Sequence, residues 1–148
     1  MQKHQCLPYR AMVIRYVKPE LQRGTFAAFV THGEMGHGFD GQLIVKMVAG
    51  LPGDWVEVKQ DVLYVNGKRI GGLDLLQKLG KPPGALDRVA TVPPGFVFVI
   101  GTEPRSYDGR YWGFLPDSEI IGSAYPLDPF FSDAPPGDFL AHSVLGAL

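Results

Sequence analysis

The chain has 148 residues and a formal net charge of −1, which excludes the strongly basic surface that nucleic acid or an acidic membrane surface would attract. Its apolar content of 45% and charged content of 20% are typical of one globular domain with a real core. The single cysteine, Cys6, excludes an internal disulfide and a thiol-based metal cluster. No run of about 18 apolar residues is present, so no membrane span is predicted within this sequence.

Short strands joined by turns are predicted for the first half of the chain, because nineteen glycines and thirteen prolines favour an all-β fold. The glycine-rich segment 32–38 is predicted to be a loop. Asn66-Gly67 is a strong signal for a two-residue hairpin turn. The predicted strands are residues 9–17, 25–31, a strand around Lys46, 55–59, 62–65 and 68–70.

The second half is less regular. Residues 71–91 have no clear period, with one or two helical turns predicted at 74–79. A buried strand is predicted at 96–100, a turn-rich loop at 101–113 and a last strand at 118–124. From Asp128 the composition shifts to Pro, Gly and Asp, and a short amphipathic helix is predicted at 138–148. We therefore expect one mainly β domain, residues 1–127, followed by a C-terminal tail, residues 128–148.

The segment 43–54, LIVKMVAGLPGD, places one lysine inside an apolar run that ends in a Gly-Leu-Pro-Gly turn. Strand alternation puts Lys46 on the same face as Ile44 and Val48, which predicts burial. Burial disfavours the ammonium form of an amine, and a neutral amine serves as a proton acceptor. The alternative is a lysine that snorkels to solvent from a sheet edge.

Three blocks of the sequence resemble the signal peptidase I superfamily, whose members use a Ser/Lys dyad, and within it the pilin-processing peptidases of conjugative transfer systems. Residues 46–54, KMVAGLPGD, resemble the lysine block. Residues 101–113, GTEPRSYDGRYWG, resemble the last block, Ser-x-Asp-Ser-Arg-x-x-Gly, with Gly109 replacing its second serine. Cys6 stands where the family has its nucleophilic serine, followed one residue on by Pro8. The resemblance covers roughly residues 4–126 and implies coiled antiparallel β-sheets or a small barrel, with residues 71–91 as a family-variable insertion.

The resemblance also implies a role for each matching residue. Cys6 is the nucleophile, and Lys46 is the general base that takes its proton and later passes it to the leaving amine. Ser106 orients the lysine amine, and Asp108 and Arg110 form a structural ion pair beneath the site. No metal and no other cofactor is implied.

The oxyanion hole implied by the resemblance uses the backbone N–H of Cys6. Many family members add a side-chain hydroxyl two residues earlier, where this chain has His4. The cysteine itself departs from the family serine. A natural Cys/Lys enzyme, a Ser→Cys replacement and a catalytically silent relative that binds pilin or pilus-assembly proteins all remain open.

The histidines offer further alternatives. His32 and His37 lie in the glycine-rich loop, where no preformed metal site is expected. A Cys6–His dyad that uses His32, His37 or His142 is a second possible arrangement. A thiol redox module is disfavoured because no second cysteine is present to resolve a mixed disulfide.

The substrate implied by the resemblance is a prepilin or another exported precursor, bound as an added strand with small residues at the first and third positions before the cut. Hydrolysis and cyclisation of the product are both left open, because water or an amine resolves the same acyl-enzyme. Family members carry a membrane span just before the nucleophile, which places the site at the periplasmic face of the bacterial inner membrane. We expect that such a span precedes the present sequence, and no nucleic-acid partner is expected.

Overall fold

A computed structural model describes residues 11–33, 35–36, 38, 40–103 and 105–127. In this part of the chain short β-strands alternate with turns, and the one α-helical segment is a single turn, α1 (Gly109–Trp112). The strands are β1 (Met12–Arg15), β2 (Phe26–Val30), β3 (Leu43–Gly50), β4 (Trp55–Lys59), β5 (Val62–Val65), β6 (Lys68–Gly72), β7 (Arg88–Thr91), β8 (Phe96–Ile100), β9 (Leu115–Pro116) and β10 (Ile120–Pro126).

The strands form two antiparallel sheets. The larger sheet has six strands in the order β1-β10-β2-β3-β8-β9, and the smaller has four in the order β6-β5-β4-β7. The predicted mainly β fold of antiparallel sheets is therefore confirmed. The predicted C-terminal tail and its helix lie outside the described residues.

Two apolar clusters follow from strand alternation in the larger sheet. One face of β3 contributes Met47 and Ala49 to a core that also contains Val56 and Leu63 of the smaller sheet. The opposite face contributes Val48 to a second cluster with Phe29 and other residues of β2 and β8. The strand β3 is thus buried on both faces in its second half, which explains why its sequence is continuously apolar around Lys46.

Two turns have the geometry that their sequences predict. Pro52 and Gly53 are the central residues of the turn after β3, in which the Asp54 N–H donates to the Leu51 carbonyl at 2.9 Å. Gly53 has φ 91°, a value that the third position of a type II turn requires and that glycine adopts without strain. The Asn66-Gly67 turn joins β5 and β6, which confirms the predicted hairpin.

The aperiodic segment differs most from the sequence expectation. Residues 74–80 form consecutive turns with one i→i−4 hydrogen bond, from the Leu79 N–H to the Leu75 carbonyl at 2.9 Å, so a second helical turn is not formed. The strand β7 was not predicted, and it pairs with β4 along its whole length. Its one large apolar side chain, Val89, is 52% exposed, so the strand is held by backbone hydrogen bonds and leaves no hydrophobic pattern.

The end of the described region also differs in detail. The single turn α1 lies inside the predicted loop 101–113, and the two-residue strand β9 is too short to leave a pattern. The last strand runs over Ile120–Pro126, whereas residues 118–124 were predicted, because a 3₁₀ turn occupies Asp117–Glu119. No described helix has the length and apolar character that crossing a bilayer requires.

Candidate active site

Lys46 lies near the centre of β3, where it pairs with Ala27 of β2. The alternation of the strand places it on the face of Val48, within the second apolar cluster, and only 1% of the residue is exposed. The predicted burial is confirmed. The alternative of a lysine that snorkels to solvent is wrong, because apolar residues cover both faces of β3 at this point.

The Lys46 amine donates a hydrogen bond to the hydroxyl of Ser106, with 2.7 Å between Nζ and Oγ. Ser106 is 3% exposed, so the bond is shielded from solvent. The two residues are 60 positions apart in sequence. Ser106 follows a turn in which its own N–H donates to the Glu103 carbonyl at 3.1 Å. The loop after β8 therefore places the Ser106 hydroxyl next to the buried Lys46 amine.

Asp108 and Arg110 form a buried bidentate ion pair two residues beyond Ser106. The Asp108 carboxylate accepts from Arg110 Nε at 2.8 Å and from Nη2 at 2.7 Å. It also accepts from the N–H groups of Arg110 at 3.1 Å and Gly101 at 2.8 Å, so both oxygens are fully used. Burial alone lowers the pKa of Arg110, but the hydrogen bonds and the charge of Asp108 outweigh it and hold that pKa above its usual value.

The Arg110 guanidinium connects the loop that carries Ser106 to the smaller sheet. Its Nη1 donates to the Gly72 carbonyl of β6 at 3.1 Å, and its Nη2 also lies 3.4 Å from the Ser106 carbonyl. Asp108 is in turn the N-cap of α1, because its side chain accepts from the Arg110 N–H. The ion pair thus fixes the main chain on both sides of Ser106, and through it the partner of Lys46.

Gly109 departs from the serine of the family pattern, and the packing gives a reason. A Cβ atom at this position would lie 2.8 Å from the Val99 carbonyl oxygen and 3.0 Å from a Phe98 ring carbon. Both contacts are shorter than normal van der Waals separation, so the backbone of α1 approaches β8 too closely for a side chain. A serine here requires a small displacement of the loop that carries Ser106.

A second polar cluster surrounds Asp54 at the end of the Gly-Leu-Pro-Gly turn. Its carboxylate accepts from Arg23 through Nε at 2.9 Å and through Nη2, from the Leu51 N–H at 2.8 Å and from Asn66 Nδ2 at 3.1 Å. Burial alone raises the pKa of Asp54, but these donors outweigh it and hold that pKa below its usual value. The cluster joins the loop before β2, the turn after β3 and the β5–β6 hairpin.

Four of the predicted site residues are therefore brought together in one buried network: Lys46, Ser106, Asp108 and Arg110. The proposed nucleophile Cys6 and the proposed oxyanion donor His4 lie outside the described residues. His37 and His142 also lie outside them.

His32 is described, and its side chain is 63% exposed with Nδ1 3.8 Å from a Glu119 oxygen. Among the described residues no group of three or more His, Cys, Asp or Glu side chains is arranged to hold a metal ion.

Sequence reasoning missed two residues of the Asp54 cluster, Arg23 and Asn66, and one residue beside α1, Arg88. Arg23 belongs to no motif that was considered, although it stands directly before Gly24 in the loop that leads into β2. Asn66 was assigned only to a turn, whereas its side chain also donates to Asp54 and accepts from the Trp55 N–H at 2.8 Å. Arg88 lies in the segment without a period, and no local signal predicts its contacts.

The site can be compared with those of known proteins at the level of sequence. Residues 7–127 match the family described as signal peptidase, peptidase S26. Signal peptidase I of Bacillus caldolyticus is 43% identical over 89 residues, which cover 53% of this chain and 49% of that protein. The conjugal transfer protein TraF of Agrobacterium fabrum is 32% identical over 91 residues, covering 59% of this chain and 49% of that protein.

The chain spans about half the length of these two relatives. Among solved structures, a signal peptidase I from Enterococcus faecalis V583 is 30% identical, covers 72% of this chain and 98% of that one, and superposes with a TM-score of 0.48. The family match includes β3 with Lys46 and the loop with Ser106, Asp108 and Arg110. The chain therefore belongs to the signal peptidase family, peptidase S26.

Proposed function

We propose that this chain is the catalytic part of a membrane-associated endopeptidase of the signal peptidase I type, with Cys6 as nucleophile and Lys46 as general base. The observation that carries the proposal is the buried 2.7 Å hydrogen bond between Lys46 Nζ and Ser106 Oγ. In the described part of the chain Lys46 has no ion pair. An amine that a hydrogen bond holds at one position is suited to accept a proton from a neighbouring thiol.

In the acylation step, the proton of the Cys6 thiol passes to the Lys46 amine, and the thiolate attacks the carbonyl carbon of the scissile peptide bond. A tetrahedral intermediate forms with a negative charge on the former carbonyl oxygen. When it collapses, the carbon–nitrogen bond breaks and the Lys46 ammonium gives its proton to the departing amine. The products of this step are a free amino end and a thioester on Cys6.

In the deacylation step, water loses a proton to the neutral Lys46 amine and attacks the thioester carbon. The carbon–sulfur bond breaks, the new carboxyl end leaves, and the proton returns from Lys46 to the Cys6 sulfur. If the amino end of the acylated chain replaces water as the nucleophile, the two ends of that chain are joined and the product is cyclic. A primary amine has no tautomer to fix, so no acidic third member is needed, in contrast to an imidazole base.

The remaining residues have supporting roles in this mechanism. Ser106 holds the amine in place through its hydroxyl, and Asp108 and Arg110 hold the loop that carries Ser106. The Cys6 N–H and the side chain of His4 are the proposed donors to the oxyanion. Loss of one such donor costs about 3 kcal/mol in comparable enzymes.

The proposed substrate is an exported precursor protein, and a pilin precursor of a conjugative transfer system is our first choice. The similarity to the conjugal transfer protein TraF of Agrobacterium fabrum supports this choice. The site would act at the periplasmic face of the inner membrane, on a substrate with small residues at the first and third positions before the cut.

Cleavage of a fluorogenic peptide with alanine at those two positions tests the proposal. We expect turnover by the wild-type chain and loss to background in Cys6→Ala and in Lys46→Met, which fills the buried position without an amine. Lys59→Met is the matched control, because Lys59 is an exposed residue of β4. Cys6→Ser should retain part of the activity, since serine is the family nucleophile.

Turnover that survives Lys46→Met would contradict the mechanism. Absence of turnover in the wild type, together with tight binding of the same peptide, would instead favour the silent relative that binds pilin. Turnover that is lost in a His32 variant and kept in Lys46→Met would favour the Cys–His arrangement.

A further inference from the structure

The geometry points to Arg88 as a positioning residue for Lys46, acting from the smaller sheet through the carbonyl groups of α1. This inference rests on the proposed function only in the sense that Lys46 is the proposed base. Arg88 lies in neither the lysine block nor the last block of the family pattern, whereas α1 is part of the last block. The contact between the two was not predicted from the sequence.

Arg88 is the first residue of β7, where it pairs with Val58 of β4. Its guanidinium makes three hydrogen bonds, and each one goes to a main-chain carbonyl. Nη1 donates to the Leu86 carbonyl at 2.9 Å, and Nη2 donates to the carbonyls of Gly109 at 3.1 Å and Arg110 at 3.0 Å. The side chain therefore bridges the smaller sheet and α1.

The turn α1 needs such support because a four-residue helix has too few internal bonds to be stable alone. The Asp108 carbonyl accepts from Tyr111 and Trp112, and the Gly109 carbonyl accepts from Gly113 at 3.0 Å. Later carbonyls of a helix have no partner within it and favour a cation at that end. Arg88 supplies both the donor and the charge.

The position of α1 sets the position of the Lys46 partner. On one side α1 packs against β8, where the missing side chain of Gly109 leaves room for the Val99 carbonyl and the Phe98 ring. On the other side the Arg88 guanidinium donates its hydrogen bonds to the carbonyl groups of α1. Asp108, which caps α1, and Arg110, which lies within it, then fix the Ser106 segment, and Ser106 bonds Lys46 at 2.7 Å.

The cost of placing Arg88 here supports a specific role. The residue is half-buried, and burial lowers the pKa of its guanidinium. Within the described ranges Arg88 has no ion pair. The main-chain carbonyl groups that accept its hydrogen bonds are therefore the groups that stabilise its charge there. An apolar residue would fill β7 at lower cost if the strand only had to pair with β4.

The experiment compares Arg88→Gln and Arg88→Lys with Arg69→Gln, which removes an exposed arginine from β6, the opposite edge strand of the same sheet. The first readout is the ε-carbon NMR resonance of Lys46 in protein labelled at lysine, identified by its absence in Lys46→Met. The second readout is kcat and KM for the alanine-containing peptide. Ser106→Ala provides the reference for a Lys46 amine that has lost its partner.

We expect the Lys46 resonance in Arg88→Gln to move toward its position in Ser106→Ala, with a smaller movement in Arg88→Lys and none in Arg69→Gln. We expect kcat to fall about tenfold in Arg88→Gln, with KM changed less than about twofold, because the base is misplaced while substrate contacts persist. Arg88→Lys should recover part of kcat, since an ammonium replaces the charge and one donor.

A Lys46 resonance at its wild-type position in folded Arg88→Gln, or kcat equal to that of Arg69→Gln, would overturn the inference. If Arg88→Gln does not fold, Arg88→Lys decides: an unmoved resonance overturns the inference and a moved one supports it. If the wild type does not cleave the peptide, the proposed function fails while the resonance still decides the role of Arg88.

Discussion

Two Arg–Asp pairs lie close to β3, one at the turn that follows it and one beside the Ser106 partner of Lys46. They differ mainly in access to water. The Asp108–Arg110 pair has side chains 0% and 5% exposed, whereas Asp54 and Arg23 are 10% and 54% exposed. Both carboxylates accept at least four hydrogen bonds from side chains and main chain. The same chemistry therefore appears once in a dry interior and once with its arginine open to water.

The difference teaches where precise geometry is maintained. A pair whose arginine is open to water is partly screened and contributes less net free energy, so we infer that the Arg23–Asp54 pair mainly joins segments. A buried pair is costly to break, because removal of one partner leaves an uncompensated charge. The buried pair is the one connected to Ser106 and Lys46. We infer that the ion pair that is most costly to break lies next to the proposed catalytic lysine.

The largest effect is expected from Asp108→Asn. This change leaves the Arg110 charge buried with no counter-ion among its described partners, so we expect the free energy of unfolding to fall by about 3–5 kcal/mol. Peptide cleavage should fall with it, because Ser106 loses its support. Urea denaturation measures the first quantity. A loss no greater than that of Asp54→Asn would remove the contrast between the two pairs.

An intermediate effect is expected from Ser106→Ala, and it should separate activity from stability. The free energy of unfolding should fall by only about 1 kcal/mol, the usual net value of one hydrogen bond. The rate of peptide cleavage should fall about 10- to 100-fold, since the Lys46 amine is no longer held in place. Ser118→Ala, in the exposed part of the 3₁₀ turn, is the control. Equal rates in both variants would mean that Ser106 does not orient the base.

The smallest effect is expected at the Arg23–Asp54 pair. Asp54→Asn should lower the free energy of unfolding by about 1–2 kcal/mol near neutral pH and leave kcat per folded molecule unchanged. The folded state holds the pKa of Asp54 below its ordinary value of about 3.9, so this stabilisation is present above that value and is lost as pH falls through the lower pKa of the folded state. The difference from wild type should therefore shrink on acidification.

Urea denaturation at a series of pH values checks the behaviour of Asp54. Glu20→Gln, which removes an exposed carboxylate, is the matched control. A difference between Asp54→Asn and wild type that grows as the pH is lowered would have the wrong sign and would contradict the account of this cluster.

The sequence predicted best what depends on local pattern. The alternation around Lys46 predicted its burial, and Asn66-Gly67 predicted a hairpin that the structure confirms. The pairing of Lys46 with Ser106 has no local signal, because 60 residues separate them. It was inferred from the resemblance of two separate blocks to one family.

The remaining features were missed for physical reasons that can be named. The strand β7 has an exposed Val89 and no buried apolar face, so periodicity does not reveal it. The contacts of Arg88 and Arg23 depend on how the sheets and loops pack against one another. The sequence around each arginine gives no local signal of that packing. The glycine at position 109 was noted as a departure, and only the close approach of Val99 and Phe98 explains it.

The central claim is that the buried Lys46 amine activates the Cys6 thiol, and the most direct test is the rate of Cys6 alkylation by iodoacetamide across a series of pH values. Alkylation follows the thiolate fraction, so we predict a markedly faster reaction at neutral pH in the wild type than in Lys46→Met, with Lys59→Met equal to wild type. Identical rates in wild type and Lys46→Met at every pH would contradict the claim.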